Sequence, residues 1–339
     1  MKRFIAYLLM VMVFLQACGS APASQPSSVE PTIEVAATEI SPTIAAAEAE
    51  IEATADATRL DLVTLTDANG RDVTFNPDAQ RIISLAPSTT EILYALGVQD
   101  RLVATDDVSD YPAEVAELPK VGNGYSSFNY EQIVALEPDL LLVAGITSPE
   151  VLSRLEELAI PIVVTNSAIT TFDTVFSDIL LTGEVTNSVE AAESLVAQLK
   201  AKKLEIESKV ALATSRPKVY WELDATDASK PFSVGPGGFI NDLITMSGGE
   251  NIFGTIDNPY PQVSIEQIAV ADPEVIILAN AIYGTTVESV LARPGWGDIS
   301  AVREQRVYPI DDNLISRPGP RLVEGLEATA KIIHPELFQ

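Results

Sequence analysis

The chain opens with one apolar run, positions 4–15, behind the positive pair Lys2 and Arg3. A run of about a dozen residues is too short to span a bilayer, which takes about 20, and has the form of a secretory signal. From 19 to about 58 apolar stretches disappear. Ala, Ser, Thr, Pro and Glu dominate, with Pro22, Pro26, Pro31 and Pro42 and no aromatic residue. Such a segment buries too little apolar surface to offset its ordering entropy, so it reads as a disordered tether, with a transiently helical stretch over 45–57.

Near Leu60 periodic patterning begins. Runs at 62–66 and 71–75 flank Asp67-Ala68-Asn69-Gly70 and predict a β-hairpin with an Asn-Gly turn. Short apolar runs then alternate with helical patterns: strands at 81–86, 102–105, 140–144 and 162–165, helices at 88–97, 129–136 and 149–159. Ser88-Thr89-Thr90-Glu91 has capping-box spacing, and Ser148 suits the cap of the third helix. Alternation of this kind implies a mostly parallel sheet covered by helices. The longest helical pattern, 187–214, is opened by Asn187 with Glu190 in capping-box spacing and stops before Pro217. At 1.5 Å per residue it would span roughly 40 Å. Beyond it the alternation restarts, with strands at 218–223, 275–279 and 306–310 and helices at 238–246, 265–270 and 321–333.

An internal repeat ties the two halves together. The segment 130–144 recurs 135 positions later, with Glu131, Gln132, Ile133 and Pro138 matched by Glu266, Gln267, Ile268 and Pro273. Each copy is a short helix, an acid-Pro turn that stops it, and an apolar run suited to a buried parallel strand. The predicted architecture is α/β: two pseudo-duplicated lobes with mostly parallel sheets joined by one long helix. The divisions are a signal peptide over 1–17, a tether over 18–59, lobes over 60–186 and 215–339, and the interlobe helix over 187–214. Ligands of such folds sit in the cleft between lobes.

Composition then removes whole classes of function. The 339 residues carry 21 Lys and Arg against 48 Asp and Glu, a formal charge of −27, which repels phosphate backbones and excludes a basic nucleic-acid groove. One Cys closes no intrachain disulfide, and one His rules out His-rich metal sites. The lone Cys ends Leu15-Gln16-Ala17-Cys18, which has the form of the bacterial lipobox, where cleavage precedes the Cys and its sulfur receives diacylglycerol. Ordinary signal cleavage among Ala17, Gly19 and Ser20 is the alternative. Lipidation would make the mature protein begin at Cys18 and hang from the extracytoplasmic face of the cell membrane by lipid chains.

The segments 81–93, Ser109-Asp110-Tyr111-Pro112, 129–140, Gly248-Gly249-Glu250-Asn251-Ile252-Phe253 and 261–267, in that order, resemble the substrate-binding proteins of ABC importers for cobalamin and ferric siderophores. The resemblance runs from about Leu60 to the C-terminus. It implies a class III substrate-binding protein: two lobes bridged by a long helix, little hinge motion, a monomer without a resident cofactor or metal. Its ligand would be a metal chelate, a corrinoid such as cobalamin first and a ferric siderophore or haem second, delivered to an ABC permease with a cytoplasmic ATPase. By the same resemblance Glu131 and Glu266 would dock on arginines of the two permease subunits, an arrangement that suits a two-fold partner. Each Glu equally suits an ordinary helix N-terminus, where the dipole favours acids.

Motif position further aligns Tyr125, Phe232 and Tyr260 with aromatic ligand contacts, and Asp312 and Arg317 with polar ones. Core packing is the alternative for Phe232, and Arg317 equally suits an ion pair with Asp312. Departures from the cobalamin pattern are Tyr for Trp at 125 and 260, Val108 for an aromatic residue, and no Trp after Val143-Ala144. A Tyr hydroxyl adds the option of donating to an amide or ligating iron. Gly235-Pro236-Gly237-Gly238 lacks the Lys-Ser/Thr of a phosphate loop. His334 reads as a helix cap, and with no Ser-His-acid set a lipoprotein hydrolase is the remote rival, a sensor subunit of the same fold the third reading. Replacing the anchor residue, Cys18→Ala, is expected to move the protein from the membrane to the soluble fraction and to abolish fatty-acid labelling; unchanged labelling would count against lipidation.

Overall fold

The computed structural model describes residues 62–124, 127–166 and 170–339. The expected signal peptide, Cys18, the tether and Tyr125 lie outside them. The hairpin forms as predicted: β1 (Val63–Thr66) pairs antiparallel with β2 (Asp72–Phe75). Its turn closes on Gly70, at φ +74, where a Cβ would be strained. The Asp67 carboxylate accepts the backbone N–H groups of Asn69 and Arg71, both at 3.0 Å.

The N-terminal lobe follows as β3 (Ile82–Ser84), α1 (Pro87–Ala95), β4 (Leu102–Thr105), the small hairpin β5 (Gly122–Asn123) and β6 (Ser127–Phe128), α2 (Tyr130–Ala135), β7 (Leu140–Val143), α3 (Pro149–Glu156) and β8 (Ile162–Val164). Its sheet is parallel in the order β4-β3-β7-β8. Two helices, α4 (Thr174–Val185) and α5 (Val189–Val210), lead to the second lobe. There β9 (Lys218–Asp224), β10 (Phe232–Ser233), α6 (Phe239–Met246), β11 (Glu250–Asn251), α7 (Ile265–Ala271), β12 (Val275–Leu278), α8 (Val287–Leu291), α9 (Ser300–Arg303), β13 (Val307–Pro309), α10 (Asp312–Ile315) and α11 (Leu322–Ile333) complete the chain. In this sheet β11, β9, β12 and β13 are parallel, in that order, and β10 joins β9 antiparallel. Counting the parallel strands within each lobe, both sheets read 2-1-3-4. The duplication seen in 130–144 and 265–279 therefore extends to topology, and to the backbone: Glu137 and Asp272, which end the two repeat helices, both sit at positive φ, 47° and 49°.

Parallel strands are buried on both faces, and residue parity decides which core each side chain enters. Ile82, Leu140, Leu142 and, in the other lobe, Val219, Trp221, Val275 and Ile277 enter one core that continues through α4, α5 and α11. Their neighbours in sequence enter separate clusters, Ile83, Leu141 and Val143 in one lobe, Tyr220, Ile276 and Leu278 in the other. A single apolar core thus crosses from lobe to lobe. Along it α5 packs between α4 and α11, with Lys202 at 3.3 Å from Glu327.

Three local expectations are corrected. Helix α1 starts one residue early, because Pro87 at its first position already has the helical φ and needs no partner for an N–H; the cap, Ala86, has no side-chain acceptor and makes no side-chain bond. The Ser88 side chain is buried and Glu91 turns to an arginine of the other lobe, so no capping box forms. The interlobe helix is shorter at both ends than 187–214: Asn187 adopts φ +52 and spends its amide on Asp78 at 2.9 Å rather than on a cap. Helix α4 was not anticipated, because most of its residues are buried and it lacks a polar face to give it period. His334 does cap α11, its N–H bonded to Ala330, and its ring packs over Gly248.

Asp178 on α4 is buried, and its Oδ2 has no partner among the described residues; burial pushes its pKa up to about 7. Between about pH 4, where the unfolded carboxyl ionises, and pH 7, the folded chain holds a proton that the unfolded chain has released. Stability from this group is therefore present below about pH 4 and lost as pH rises through about 7. Urea denaturation across that window is expected to show Asp178→Asn losing less stability than the parent, by up to about 1.4 kcal/mol per pH unit. Parallel curves would contradict the assignment.

Candidate functional site

In open α/β sheets ligands bind beyond the carboxyl ends of the strands, where neighbouring connections depart to opposite sides. In the order 2-1-3-4 that place lies between the first and third strands, beyond β3 and β7 in one lobe and β9 and β12 in the other. Contacts join the two carboxyl-end regions. Glu91 of α1 accepts two bonds from Arg321, Nε at 2.9 Å and Nη2 at 2.5 Å, and lies 3.6 Å from Arg317 Nη1. Arg317 reaches Asp110, in the loop after β4, at 2.5 Å and donates to the Val108 carbonyl at 3.2 Å. The Arg321 guanidinium also stacks on Tyr111, 3.7 Å from its ring centre. After β8, the Thr170 carbonyl accepts the Phe239 N–H and Phe172 N–H donates to Asp242 of α6, both at 2.9 Å.

Large apolar side chains stand exposed at these same ends: Val108 and Tyr111 after β4, Ile146 (71%) after β7, Ile282 and Tyr283 (77%) after β12. Phe232 and Tyr260 join them. Residues 231–235 run antiparallel to 259–263, with Ser233 N–H on the Pro261 carbonyl and Val263 N–H on Pro231, which puts both rings on one ledge, half-exposed. The close approach requires Gly235, where a Cβ would fall 1.9 Å from the Asn258 carbonyl oxygen. Core packing, the alternative for Phe232, is excluded by its exposure.

Buried polar networks hold the exposed loops. Glu222, fully buried on β9, receives both Arg293 Nη atoms at 2.5 and 2.8 Å, the Asn280 amide at 3.0 Å and the Tyr220 hydroxyl at 3.2 Å. Asn280 belongs to the turn that carries Ile282 and Tyr283, so this pair rivets the turn to the sheet. In the other lobe Lys120 Nζ donates to Thr105 Oγ1 at 2.9 Å and to the Ser109 carbonyl at 2.7 Å. Asp106, whose pKa burial raises, accepts from the Ser109 hydroxyl. A cavity of about 400 Å³ opens beside this lobe's small hairpin, lined by Gly124, Ser127, Tyr130, Ser148 and Arg154.

The structure therefore gathers Phe232 and Tyr260, and gives the two polar residues different partners. Asp312, first residue of α10, accepts from the Ser316 and Tyr283 hydroxyls, and burial raises its pKa. Arg317 pairs with Asp110 and Glu91, not with Asp312. Sequence reasoning missed Ile146, Ile282 and Tyr283; the available signal was an apolar residue just past the carboxyl end of a predicted strand. Glu131 and Glu266 occupy the same place, second residue of α2 and α7, behind caps Asn129 and Ser264 that each accept the N–H three residues on. Both are exposed; no described side chain pairs with Glu131, and a hydrogen bond from Ser264 holds the Glu266 carboxyl below its usual range. Among the described residues no cluster of three or more His, Cys, Asp or Glu has metal-binding geometry.

Residues 82–314 match the model of a family described as periplasmic binding protein. The ABC transporter substrate-binding lipoprotein YvrC of Bacillus subtilis is 30% identical over 272 residues, 79% of this chain and 84% of the relative. A vitamin B12-binding protein of Vibrio campbellii is 33% identical over 260 residues, 75% of this chain and 90% of the relative. Among solved structures, the periplasmic vitamin B12 binding protein BtuF of Vibrio cholerae superposes with a TM-score of 0.66 at 28% identity, over 77% of this chain and 99% of that one.

Removing the buried acid of the seam tests its weight. Glu91→Ala leaves two arginines without their shared partner, and a loss of about 3–5 kcal/mol is expected in urea denaturation, the range for breaking a buried pair from one side. A loss under about 1 kcal/mol, the range of surface pairs, would show that the seam does not rest on it.

Proposed function

We propose, from the premise that the chain belongs to the periplasmic binding protein family, that it captures a corrinoid of the cobalamin type and hands it to the permease of an ABC importer. The observation that carries this reading is the set of exposed aromatic and aliphatic side chains at the joined carboxyl ends of two sheets, held by buried ion pairs. A corrin is a large, flat, partly apolar ring fringed by amide arms. Phe232, Tyr260, Tyr111 and Tyr283 offer ring faces for it, while Asp312 with Tyr283 offers a polar anchor for an amide. The vitamin B12-binding relatives support the same ligand class. Tyr125, between Gly124 and Ser127, would add a further aromatic contact.

The chain works outside the cytoplasm, as its family does. Lipid on Cys18 would keep it at the membrane, and the acidic, Pro-rich segment over 18–59 would give it reach. Glu131 and Glu266, equivalent residues on equivalent helices, would meet basic residues on two equivalent permease subunits. Exposed pairs of this kind set register and on-rate more than affinity.

Two measurements test the reading. Titration with cyanocobalamin, followed by quenching of Trp221 and Trp296 fluorescence, is expected to saturate at one ligand per chain; absence of binding to cyanocobalamin, haem and ferric hydroxamates alike would remove the chelate-receptor reading. The double substitution Glu131→Arg with Glu266→Arg is expected to retain ligand affinity while uptake falls to background in cells. Unchanged uptake would refute the docking role.

A further inference from the structure

Arg317 sits where a ligand carboxylate would seek a cation, yet its charge is already matched. Its Nη1 is 2.5 Å from Asp110 and 3.6 Å from Glu91, and Glu91 in turn holds Arg321. Two guanidinium groups thus face two carboxylates, a neutral set. The two acids differ in kind: the Glu91 side chain is 2% exposed, whereas that of Asp110 is 62% exposed. Glu91 is a fixed part of the seam, and Asp110 is a solvent-facing counter-ion held ionised by its bond from Arg317. The surrounding charge is acidic as well, with Asp106 and Asp107 near Lys120 and Asp312 near Arg317.

We propose that Asp110 is a specificity-determining residue: by occupying Arg317 it lets the site accept uncharged, amide-bearing chelates and turns away carboxylate-bearing ones. This rests on the corrinoid reading and names the charge class within it. An incoming carboxylate gains no free cation and meets the Asp110 charge at the rim, where repulsion acts over about a Debye length, 8–10 Å at ordinary salt. A neutral amide arm meets neither penalty. Loss of the Asp110 charge would leave Arg317 with one unshared face, ready for a bidentate carboxylate.

The test uses two probes of the same shape, cyanocobalamin and its monocarboxylic acid formed by hydrolysis of one peripheral amide, with haem as a second anionic probe. The parent protein is expected to bind cyanocobalamin at least about tenfold more tightly than the acid. Asp110→Asn, and independently Asp110→Ser, should shift that ratio at least about tenfold toward the acid, and the shift should shrink as salt rises. Thermal denaturation confirms that each variant is folded before titration. Equal binding of both probes by the parent, or a ratio unmoved in both variants, overturns the proposal. Haem bound more tightly than cyanocobalamin by the parent overturns it too, while leaving the chelate-receptor reading intact. No binding of any probe removes both.

Discussion

The contact on which the rest depends is the buried pair between Glu91 and Arg321. It joins the first helix of one lobe to the start of the last helix of the other, across 230 positions of sequence, at the place where the carboxyl ends of both sheets come together. A buried carboxylate is costly unless its partners stay in place, so the pair fixes the lobes as well as joining them. The apolar core that runs through α4, α5 and α11 acts in the same sense, since an opening motion would expose surface from both lobes at once. Polar rivets at Glu222 and Lys120 then set the loops on this rigid frame. Rigid elements with exposed rings at their ends suit recognition of a preformed flat ligand, because little ordering entropy remains to be lost on binding.

Most of the frame was legible in the chain. The unbroken apolar runs at Ile82-Ile83 and Leu140-Leu141 mark strands buried on both faces, and the repeat around Glu131 and Glu266 anticipated two lobes of like build, whose shared 2-1-3-4 order the structure adds. What sequence could not reveal follows from how the signals work. A capping box is a local pattern, but Pro87 starts the same helix by its own φ and frees Glu91 for a partner that no window contains. Helix α4 hid because burial on most sides erases amphipathic period. The alternative of an Asp312 partner for Arg317 fails for a related reason: Asp312 is near in sequence, while Asp110 is near only after the lobes meet. Exposure of Ile146 and Tyr283 likewise depends on where the sheets end.

The duplication also shows where two copies of one unit were allowed to differ. Cap, acid and left-handed C-terminal residue are kept in both repeat helices, as are the buried strands that follow. The loops past those strands are not kept. One carries Ile146 on a short connection, the other a turn with Ile282 and Tyr283 anchored through Asn280. Symmetry persists on the surface proposed to meet a two-fold partner and is lost where an asymmetric small molecule would lie.

A frame with a core shared between lobes and a buried seam would hold Glu131 and Glu266 like the jaws of a fixed caliper. On such a frame the gap between them would not report whether anything lies at the carboxyl ends of the sheets. A transporter that grips those two points would therefore engage vacant and loaded copies alike, and vacant copies would act as competitive inhibitors of delivery. Discrimination would fall to the cargo's own exposed face, and the ratio of tethered copies to transporters would become a quantity that sets the rate of uptake.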